Sequence, residues 1–439
     1  MNIATNTKKI LIWLLFLINL SLVFVFWWLG SSHLLLTGQS PEIFIALGRL
    51  TGLLAEFFIL TLLILISRAP FIERVYGFDK LNILHRRIGY VLVIAIISHP
   101  LFLTIGYAQK QNISLGEQFL NLFMPEDIAK AFIGLLIIFI VGIISYPYIR
   151  KKLRYGIWHS GHLLMYLAIG LAFGHQVNEG DVSYGLGLYY WYIVNFSVFG
   201  TLILYRFLSP IILSVRHSFR VEKIVRETTN VYSVYISGQH MDRFKFEAGQ
   251  YINVSFLAKK LWEPHPFSLS IAPNGKYIRL TIKALGDFTD EIKNLRAGTR
   301  VLLERPLGRF TERAAINNKY LFIAGGIGIT PIRSLIESLA TKKSDMILLY
   351  ANKTEGDMVF KDELVPMISK HYNIFSESDS TDELERGYID EKKIRHFVPD
   401  IVTRDIYLCG PSPMMNSILK ILSGMGIKKS RIHYEVFAY

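Results

Sequence analysis

Cysteine is nearly absent from this sequence, and acidic residues are scarce. The 439 residues include one cysteine, Cys409, so no intramolecular disulfide can form. Aspartate and glutamate number 35 against 48 lysines and arginines, which gives a net charge of +13. Such a balance can indicate a nucleic-acid partner, but much of the excess lies in short loops beside apolar stretches. We therefore expect no nucleic-acid partner and interpret the charge as a membrane signal.

Processing and regulatory signals are also missing. After Lys8 and Lys9, about twenty apolar residues follow without a small-x-small cleavage site, which favours an uncleaved membrane span over a signal peptide. No EF-hand loop and no phosphosite-rich tail are visible in the sequence. We therefore expect an activity that needs neither calcium nor a cytosolic activator protein.

Long apolar runs fill the first half of the chain. The composition is 51% hydrophobic with a mean hydropathy of +0.33, which is too apolar for a soluble protein of this size. A helix needs about 20 apolar residues to cross a bilayer. Six segments qualify as spans: 10–29, 42–67, 82–105, 129–149, 156–177 and 187–208.

Positive charge is distributed unevenly around these spans. The loops on one side are basic, whereas the opposite loops carry only Lys110 and Lys130. The positive-inside rule places the basic loops, the N-terminus and the soluble half in the cytoplasm. We predict a multi-pass protein of the cell membrane, in contact with membrane lipid. Its domains are a six-helix membrane domain at 1–212 and soluble domains at 217–312 and 319–439.

Histidines stand out within the spans because ionisable groups are costly in a bilayer. His85 and His99 are fourteen residues apart in the third span, close to four helical turns, so both lie on nearly the same face. The fifth span contains His159, His162 and His175. Packed side by side, the two spans form two bis-imidazole sites, roughly 21 Å apart at 1.5 Å per residue, each suited to a haem iron.

The spacing in the fifth span is less regular. Thirteen residues separate His162 from His175, which leaves the second ring about 140° from the first on an ideal helix. We therefore expect local tightening or a kink near Gly170 or Gly174. His159 and His175 are sixteen residues apart, so their side chains also point to different faces of an ideal helix. Spacing alone therefore only favours His162 over His159.

Six spans, with His-x13-His in the third and His-x12-His in the fifth, resemble the ferric reductase transmembrane family, which includes the NADPH oxidases. The resemblance implies two b-type haems, one held by His85 and His162 and the other by His99 and His175. It also selects His162 over His159. A lone intramembrane histidine is more often a hydrogen-bonded core residue. The alternative from another class is a six-helix transporter or proton channel, with histidine relays and a regulatory nucleotide-binding domain.

Short alternating strands between residues 217 and 312 predict an antiparallel β-barrel. The segment contains HPFSLS at 265–270 and GDFT at 286–289. In this order, before a nucleotide-binding fold, the two motifs resemble the flavin-binding domain of ferredoxin-NADP reductase-like proteins. The resemblance implies that FAD is bound by His265, Pro266, Phe267, Ser268, Gly286 and Thr289.

Residues 319–340, KYLFIAGGIGITPIRSLIESLA, predict a strand, a glycine turn and a helix whose N-terminus suits a phosphate. The spacing differs from G-x-G-x-x-G, so the standard dinucleotide fingerprint is absent. Together with CGPSPM at 409–414, the turn resembles the pyridine-nucleotide domain of the same reductases. The resemblance implies that NADPH or NADH is bound by Gly325, Gly326, Gly328, Thr330, Pro331, Gly410 and Pro411, with Cys409 beside the nicotinamide.

Two further residues are catalytic candidates. In these reductases an aromatic residue near the C-terminus covers the flavin, which points to Phe437 first and Tyr439 second. Arg49 lies inside the second span and needs an anionic partner. We expect a propionate of the outer haem in that role, with snorkelling to lipid headgroups as the alternative. Glu56 in the same span has no partner that the sequence identifies.

These expectations combine into one route for electrons. NAD(P)H delivers hydride to FAD in the cytoplasm, and single electrons pass through the two haems to dioxygen or a ferric chelate outside. Superoxide formation is preferred because Arg49 places positive charge beside the outer haem, and ferric-chelate reduction is the alternative. Lys353 and Asn352 suit either a 2′-phosphate site or a solvated loop, so the choice between NADPH and NADH stays open.

Overall fold

The computed structural model describes residues 3–153, 155–368, 370–377 and 382–435, which form two compact units. The membrane unit comprises Asn6–Ile72 and Lys80–Tyr205. The second unit comprises Glu73–Asp79 and the chain from Arg206 onward.

The described residues up to His217 form helices joined by short loops. In chain order the helices are α1 (Ile3–Leu36), α2 (Ser40–Ile66), α3 (Pro70–Tyr76), α4 (Phe78–Gln111), α5 (Leu115–Asn121), α6 (Glu126–Ser145), α7 (Pro147–Arg150), α8 (Tyr155–Asn178), α9 (Gly185–Leu202) and α10 (Ser209–His217). Helices α1, α2, α4, α6 and α8, and the stretch Gly185–His217, are long and apolar enough to cross a membrane. The prediction of six spans is therefore confirmed. A π-helical turn at Ile203–Leu208 joins α9 to α10 within the sixth.

The fourth span ends earlier than predicted. Helix α6 stops at Ser145, whereas the sequence placed the end of this span at residue 149. Tyr146 is extended, with φ −61° and ψ 133°. The physical reason is Pro147, because a proline disfavours the helical conformation of the residue before it.

Small residues allow the membrane helices to pack closely. A Cβ atom built on Gly134 of α6 would lie 2.7 Å from the carbonyl oxygen of Ala168 on α8. Such close backbone approach is typical of helix pairs in membranes. Helices α2 and α9 share an apolar cluster that includes Leu60, Leu63 and Leu202. These contacts define the bundle that carries the histidines.

An antiparallel barrel opens the second unit. Its elements are β1 (Arg220–Thr228), β2 (Val231–Ser237), β3 (Tyr251–Phe256), β4 (His265–Ser268), β5 (Tyr277–Lys283), the helical turn α11 (Asp287–Asp290) and β6 (Val301–Leu303). The strands form the sheets β1-β2-β5 and β4-β3-β6. Antiparallel bridges Arg220–Arg300 and Leu269–Leu280 join the two sheets at both edges, which closes the barrel and removes exposed edges. The barrel prediction is confirmed.

A five-stranded parallel sheet follows, flanked by helices. Its elements are β7 (Lys319–Gly325), α12 (Ile329–Ala340), β8 (Asp345–Asn352), α13 (Lys361–Leu364), β9 (Lys370–Phe375), α14 (Glu391–Phe397), β10 (Asp405–Cys409), α15 (Ser412–Gly424) and β11 (Ile432–Tyr434). The strand order is β11-β10-β7-β8-β9. The chain winds one way from β7 to β9 and then crosses to β10, so the switch point lies between β7 and β10. The predicted fold class, a helical membrane bundle with a barrel and an α/β domain, is confirmed.

Candidate functional site

Two pairs of histidine rings join α4 and α8. The ring centroids of His85 and His162 are 6.2 Å apart, and those of His99 and His175 are 5.8 Å apart. The two rings of each pair therefore face each other between α4 and α8, as the spacing predicted. His159 forms its ring contact with Trp158 instead, at 6.4 Å.

The expected tightening of the fifth span is not found. Helix α8 is continuous from Tyr155 to Asn178, with no 3₁₀ or π turn between His162 and His175. The local tightening expected near Gly170 or Gly174 is therefore not found, and the alternative of a kink there stays a prediction. The physical reason is that an imidazole extends well beyond its Cα atom and can choose among rotamers, so two rings can serve one neighbouring helix from different faces.

Glycines of α2 make room for the His99 ring. The Nδ1 atom of His99 donates to the carbonyl oxygen of Gly48 at 2.8 Å. A Cβ atom on Gly52 would lie 2.6 Å from the same Nδ1 atom, so any larger residue would displace the ring. Gly48 and Gly52 form a G-x-x-x-G motif within an apolar span, and this motif is the sequence signal that could have predicted the close contact.

The His162 ring has its own polar support. Its Nδ1 atom lies 3.2 Å from the hydroxyl oxygen of Ser145, which also accepts a hydrogen bond from the Trp158 indole at 3.2 Å. A hydrogen bond to one ring nitrogen sets the tautomer and leaves the other nitrogen for a ligand. The Nδ1 atoms of His85 and His175 are buried and make no hydrogen bond with a described residue.

A cavity of about 390 Å³ lies beside the His99–His175 pair. Its volume is in the range of about 300–1,000 Å³ that is typical of cofactor pockets. Most of its lining is aliphatic or aromatic, and the polar lining includes Arg49, Glu56 and Asp181. This part of the membrane unit can therefore hold a mostly apolar group beside two imidazoles.

Arg49 pairs with a carboxylate of the protein. Its Nη1 atom lies 2.9 Å from Oδ1 of Asp181, and the hydroxyl of Ser31 donates to Oδ2 of Asp181 at 2.7 Å. Burial raises the pKa of the Asp181 carboxyl, and the hydrogen bonds from Ser31 and Arg49 act in the opposite direction. The anion that the structure places beside Arg49 is Asp181, because the loop after α8 brings a distant carboxylate to α2. A contact between Arg49 and a propionate of the outer haem stays a prediction.

Glu56 also has a partner that the sequence did not reveal. The side-chain amide of Gln176 donates to Oε2 of Glu56 at 2.8 Å. Glu56 is 3% exposed, and Gln176 directly follows His175. This hydrogen bond links α2 to the α8 turn that carries one of the paired histidines.

The predicted flavin residues lie on one side of the barrel. Strand β4 contains His265, Pro266, Phe267 and Ser268, and Ser268 is buried. The His265 ring stacks on Phe288 with centroids 3.8 Å apart, so β4 contacts the turn that begins at Gly286. In that turn the Thr289 hydroxyl accepts hydrogen bonds from the N–H groups of Leu285 and Gly286, at 2.9 and 3.1 Å. The two flavin motifs are therefore adjacent, and their role in FAD binding stays a prediction.

The predicted nucleotide motifs meet at the switch point. Gly325 ends β7 and Gly326 starts the turn after it, whereas Gly410 and Pro411 follow β10. A Cβ atom on Gly328 would lie 2.3 Å from the carbonyl oxygen of Cys409. The two loops therefore touch, and Thr330 and Pro331 start the helix α12 behind them. Ligands of doubly wound sheets bind at such a point.

Cys409 is fully buried at the end of β10. Burial raises the pKa of its thiol well above the ordinary value. The thiol therefore stays neutral at physiological pH and is not a nucleophile. Its place beside a nicotinamide stays a prediction, as does the role of Arg49. Phe437 and Tyr439 lie outside the described residues.

A buried charge network connects the barrel to the parallel sheet. Arg279 of β5 forms two hydrogen bonds to the Glu363 carboxylate of α13, at 2.8 and 3.0 Å. Arg333 of α12 donates to Glu363 at 2.9 Å and to the carbonyl oxygen of Ser270 at 3.1 Å. Burial acts to raise the pKa of Glu363, but Arg279 and Arg333 outweigh it and hold this pKa below its ordinary value. The network fixes α12, which starts at the nucleotide turn, to the segment after β4.

We expect the substitution Glu363→Gln to weaken this junction by about 1–3 kcal/mol. It leaves the buried guanidinium of Arg279 without its anion, whereas Arg333 keeps its ion pair with Glu337. The cost stays below that of a fully buried pair because the Glu363 side chain is 34% exposed. The native pKa is depressed, so the stabilisation is complete above the ordinary value of 4.5 and is lost as the pH falls through the folded value. Thermal unfolding between pH 3 and 7 measures both effects.

The matched control for this substitution is Glu383→Gln, which breaks an exposed ion pair with Lys392. We expect the control to leave the unfolding temperature nearly unchanged at every pH. Equal unfolding temperatures for Glu363→Gln and the wild type above pH 5 would contradict the role of the network.

Three segments of the chain match known protein families. Residues 51–173 match the ferric reductase like transmembrane component, residues 216–317 match an FAD-binding domain, and residues 322–420 match the oxidoreductase NAD-binding domain. The chain has the domain architecture of ferric reductase and NADPH oxidase-like proteins. It is therefore a membrane-fused oxidoreductase with FAD- and NAD-binding domains.

Relatives of known function resemble part of this ferric reductase-like chain. The glycine betaine monooxygenase reductase subunit of Pseudomonas aeruginosa is 27% identical over 248 residues, covering 53% of this chain and 68% of that protein. The NADPH oxidoreductase of Mycobacterium tuberculosis is 28% identical, covering 50% of this chain and 59% of that protein. A flavohemoprotein of Vibrio cholerae is 30% identical, covering 44% of this chain and 51% of that protein. The chain thus spans about half to two thirds of each relative.

A solved structure also resembles half of the chain. It is the flavohem-like FAD/NAD-binding domain of nitric oxide dioxygenase from Vibrio cholerae, at 27% identity and a TM-score of 0.45. The similarity covers 50% of this chain and 97% of that domain.

Proposed function

We propose that this protein transfers electrons from NAD(P)H in the cytoplasm, through FAD and two b-type haems, to dioxygen on the other side of the membrane. The observation that carries the proposal is the pair of facing histidine rings at two levels of α4 and α8, in a chain whose second half is an FAD- and NAD-binding reductase. The basic loops of the membrane unit support a cytoplasmic reductase half.

The histidine pairs fit haem. A metal ion that bound one nitrogen of each ring, at about 2 Å, would fit between two rings whose centroids are about 6 Å apart. The observed separations are 6.2 and 5.8 Å. His85 and His162 would hold the inner haem, and His99 and His175 the outer haem beside the apolar cavity. The Gly48 carbonyl and the Ser145 hydroxyl orient one ring of each pair.

The cofactors supply the redox chemistry, since a flavin accepts hydride and a haem iron carries one electron at a time. The residues of this chain bind and orient these groups. The β4 strand and the turn after β5 form the flavin side, and the glycine turn after β7 forms the nucleotide side. Helix α12 and the Arg279–Glu363–Arg333 network keep these two sides in register.

The lining of the cavity supports dioxygen as the acceptor. Arg49 is paired with Asp181, so the positive charge that favoured superoxide formation in the sequence is compensated. The preference for dioxygen now rests on the cavity lining, most of which is aliphatic or aromatic. Such surroundings suit a small neutral acceptor better than a charged iron chelate. The second candidate is a ferric-chelate reductase, which the match to the ferric reductase like transmembrane component favours.

Steady-state turnover of the purified full-length protein, loaded with FAD and haem, tests the proposal. We expect a low-spin b-type spectrum, oxidation of NADH or NADPH without an added protein partner, and cytochrome c reduction that superoxide dismutase inhibits. Ferric citrate reduction without superoxide would support the second candidate. Absence of any haem spectrum would refute the electron route and favour a transporter with histidine relays.

A further inference from the structure

The edge of the parallel sheet beside the glycine turn carries polar residues that the motifs above do not use. Asn352 is the last residue of β8, and Lys353 follows it. Glu377 lies just beyond β9, which ends at Phe375. Because the strands are parallel, these residues share the edge with the turn after β7, where dinucleotides bind in doubly wound sheets.

Backbone hydrogen bonds hold the loops after β8 and β9 together. The N–H of Ser376 donates to the backbone carbonyl oxygen of Asn352 at 3.0 Å, and the N–H of Glu377 donates to that of Lys353 at 2.9 Å. The Lys353 ammonium lies 3.2 Å from Oε1 of Glu377. The Glu377 side chain is 59% exposed, so its carboxylate is accessible to a ligand at this edge.

Asn352 lies on the face of the sheet that borders the glycine turn. Asn352 lies two residues after Tyr350, so the two side chains share one face of β8. Tyr350 packs with residues of α12 and donates a hydrogen bond to the Gly326 carbonyl at 3.3 Å. Asn352 is 8% exposed, and its amide approaches the Tyr350 hydroxyl. Neither polar atom of this amide completes a hydrogen bond, by distance and angle, with a described residue. A buried amide in this state points to a polar ligand.

The charged side chains at this edge of the sheet disfavour the binding of a phosphate group. A phosphate monoester carries about −1.5 to −2 charges at pH 7. Lys353 is already paired with Glu377, and Lys361 is paired with Glu355. The following segment, SESDSTDELER at 376–386, contains five acidic residues and one arginine, Arg386, and the structure describes its residues 376–377 and 382–386. A ribose hydroxyl, in contrast, is neutral and can donate to a carboxylate.

We propose that Glu377 makes NADH the preferred hydride donor, because its carboxylate accepts a hydrogen bond from the 2′-hydroxyl of the adenosine ribose and repels a 2′-phosphate. Asn352 provides a neutral polar group at the same edge. This inference rests on the proposed NAD(P)H-dependent function and specifies its electron donor.

The test combines ligand binding with flavin reduction in the purified full-length holoprotein. Calorimetry with AMP and with adenosine 2′,5′-bisphosphate measures the effect of the 2′-phosphate without turnover. Anaerobic stopped-flow measurement of flavin bleaching gives the rates with NADH and NADPH. We expect AMP to bind more tightly than the bisphosphate, and NADH to be preferred by at least about tenfold in kcat/KM.

Two variants separate a specific role from a general charge effect. Glu377→Arg should reduce the NADH preference by about tenfold or more and tighten binding of the bisphosphate. The control Glu383→Arg makes the same charge change in the same segment, at a residue paired with Lys392, and should retain the preference. Equal or better use of NADPH by the wild type, or an unchanged preference in Glu377→Arg, would overturn the inference. Failure of both nucleotides to reduce the flavin would instead overturn the proposed function.

Discussion

The substitution His175→Ala is expected to reduce the haem content of the purified protein from two haems per chain to one. His175 faces His99 across α4 and α8 at 5.8 Å, and a haem held by this pair would lose one of its two imidazoles. Acceptor reduction across the membrane should fall at least about 100-fold, since even the loss of a partner outside the ligand shell costs about 10–100-fold. Flavin reduction by NAD(P)H should be unchanged, because the flavin and nucleotide residues lie in the second unit.

The matched control is His159→Ala on the same helix. The His159 ring lies beside Trp158, with the ring centroids 6.4 Å apart, and His159 belongs to neither of the two histidine pairs described above. We expect this variant to retain both haems and the wild-type spectrum. Haem content by the pyridine haemochrome assay, together with the low-spin absorption bands, measures the outcome. If His175→Ala retained both haems, the ligand assignment would be wrong.

The second large effect is expected from Gly328→Ala in the turn after β7. The added Cβ atom would lie 2.3 Å from the Cys409 carbonyl oxygen and 2.7 Å from the Gly410 nitrogen. These are backbone atoms that cannot rotate away, so the two nucleotide loops must separate. We expect destabilisation of about 1–3 kcal/mol and a severe loss of NAD(P)H-dependent flavin reduction.

Gly424→Ala in α15 is the control for this substitution, since nothing lies within 4 Å of its added Cβ atom. Alanine is favoured over glycine within a helix, so a stabilisation of up to about 1 kcal/mol is expected. Melting temperature and the rate of flavin bleaching give the two measurements. Wild-type melting and flavin reduction in Gly328→Ala would show that the loops tolerate separation.

Local patterns predicted the parts of this protein that depend on neighbouring residues in the chain. The membrane spans follow from apolar composition, and the barrel strands follow from alternation. Helical periodicity also predicted that His85 and His99 share a face. Each of these features depends on short-range spacing, which the sequence contains directly.

Pairings between distant residues could not be predicted in this way. Arg49 needed an anion, but Asp181 lies 132 positions away and reaches α2 only because the loop after α8 returns to it. Glu56 meets Gln176 of α8 because α8 and α2 pack in one apolar cluster, at a separation of 120 positions along the chain. Nothing in the local sequence of either residue identifies its partner, because side-chain contacts between helices depend on how the bundle packs.

By itself, the sequence determined the number of spans, the order of the domains and the chemical types of the candidate ligands. Those properties depend on solvation of the chain and on local backbone preference. The tertiary structure was needed to identify the carboxylate that neutralises Arg49 and the residue that stands beside Lys353 at the sheet edge. The physical reason is that such contacts are short-ranged in space and unrelated to distance along the chain, so packing alone selects them.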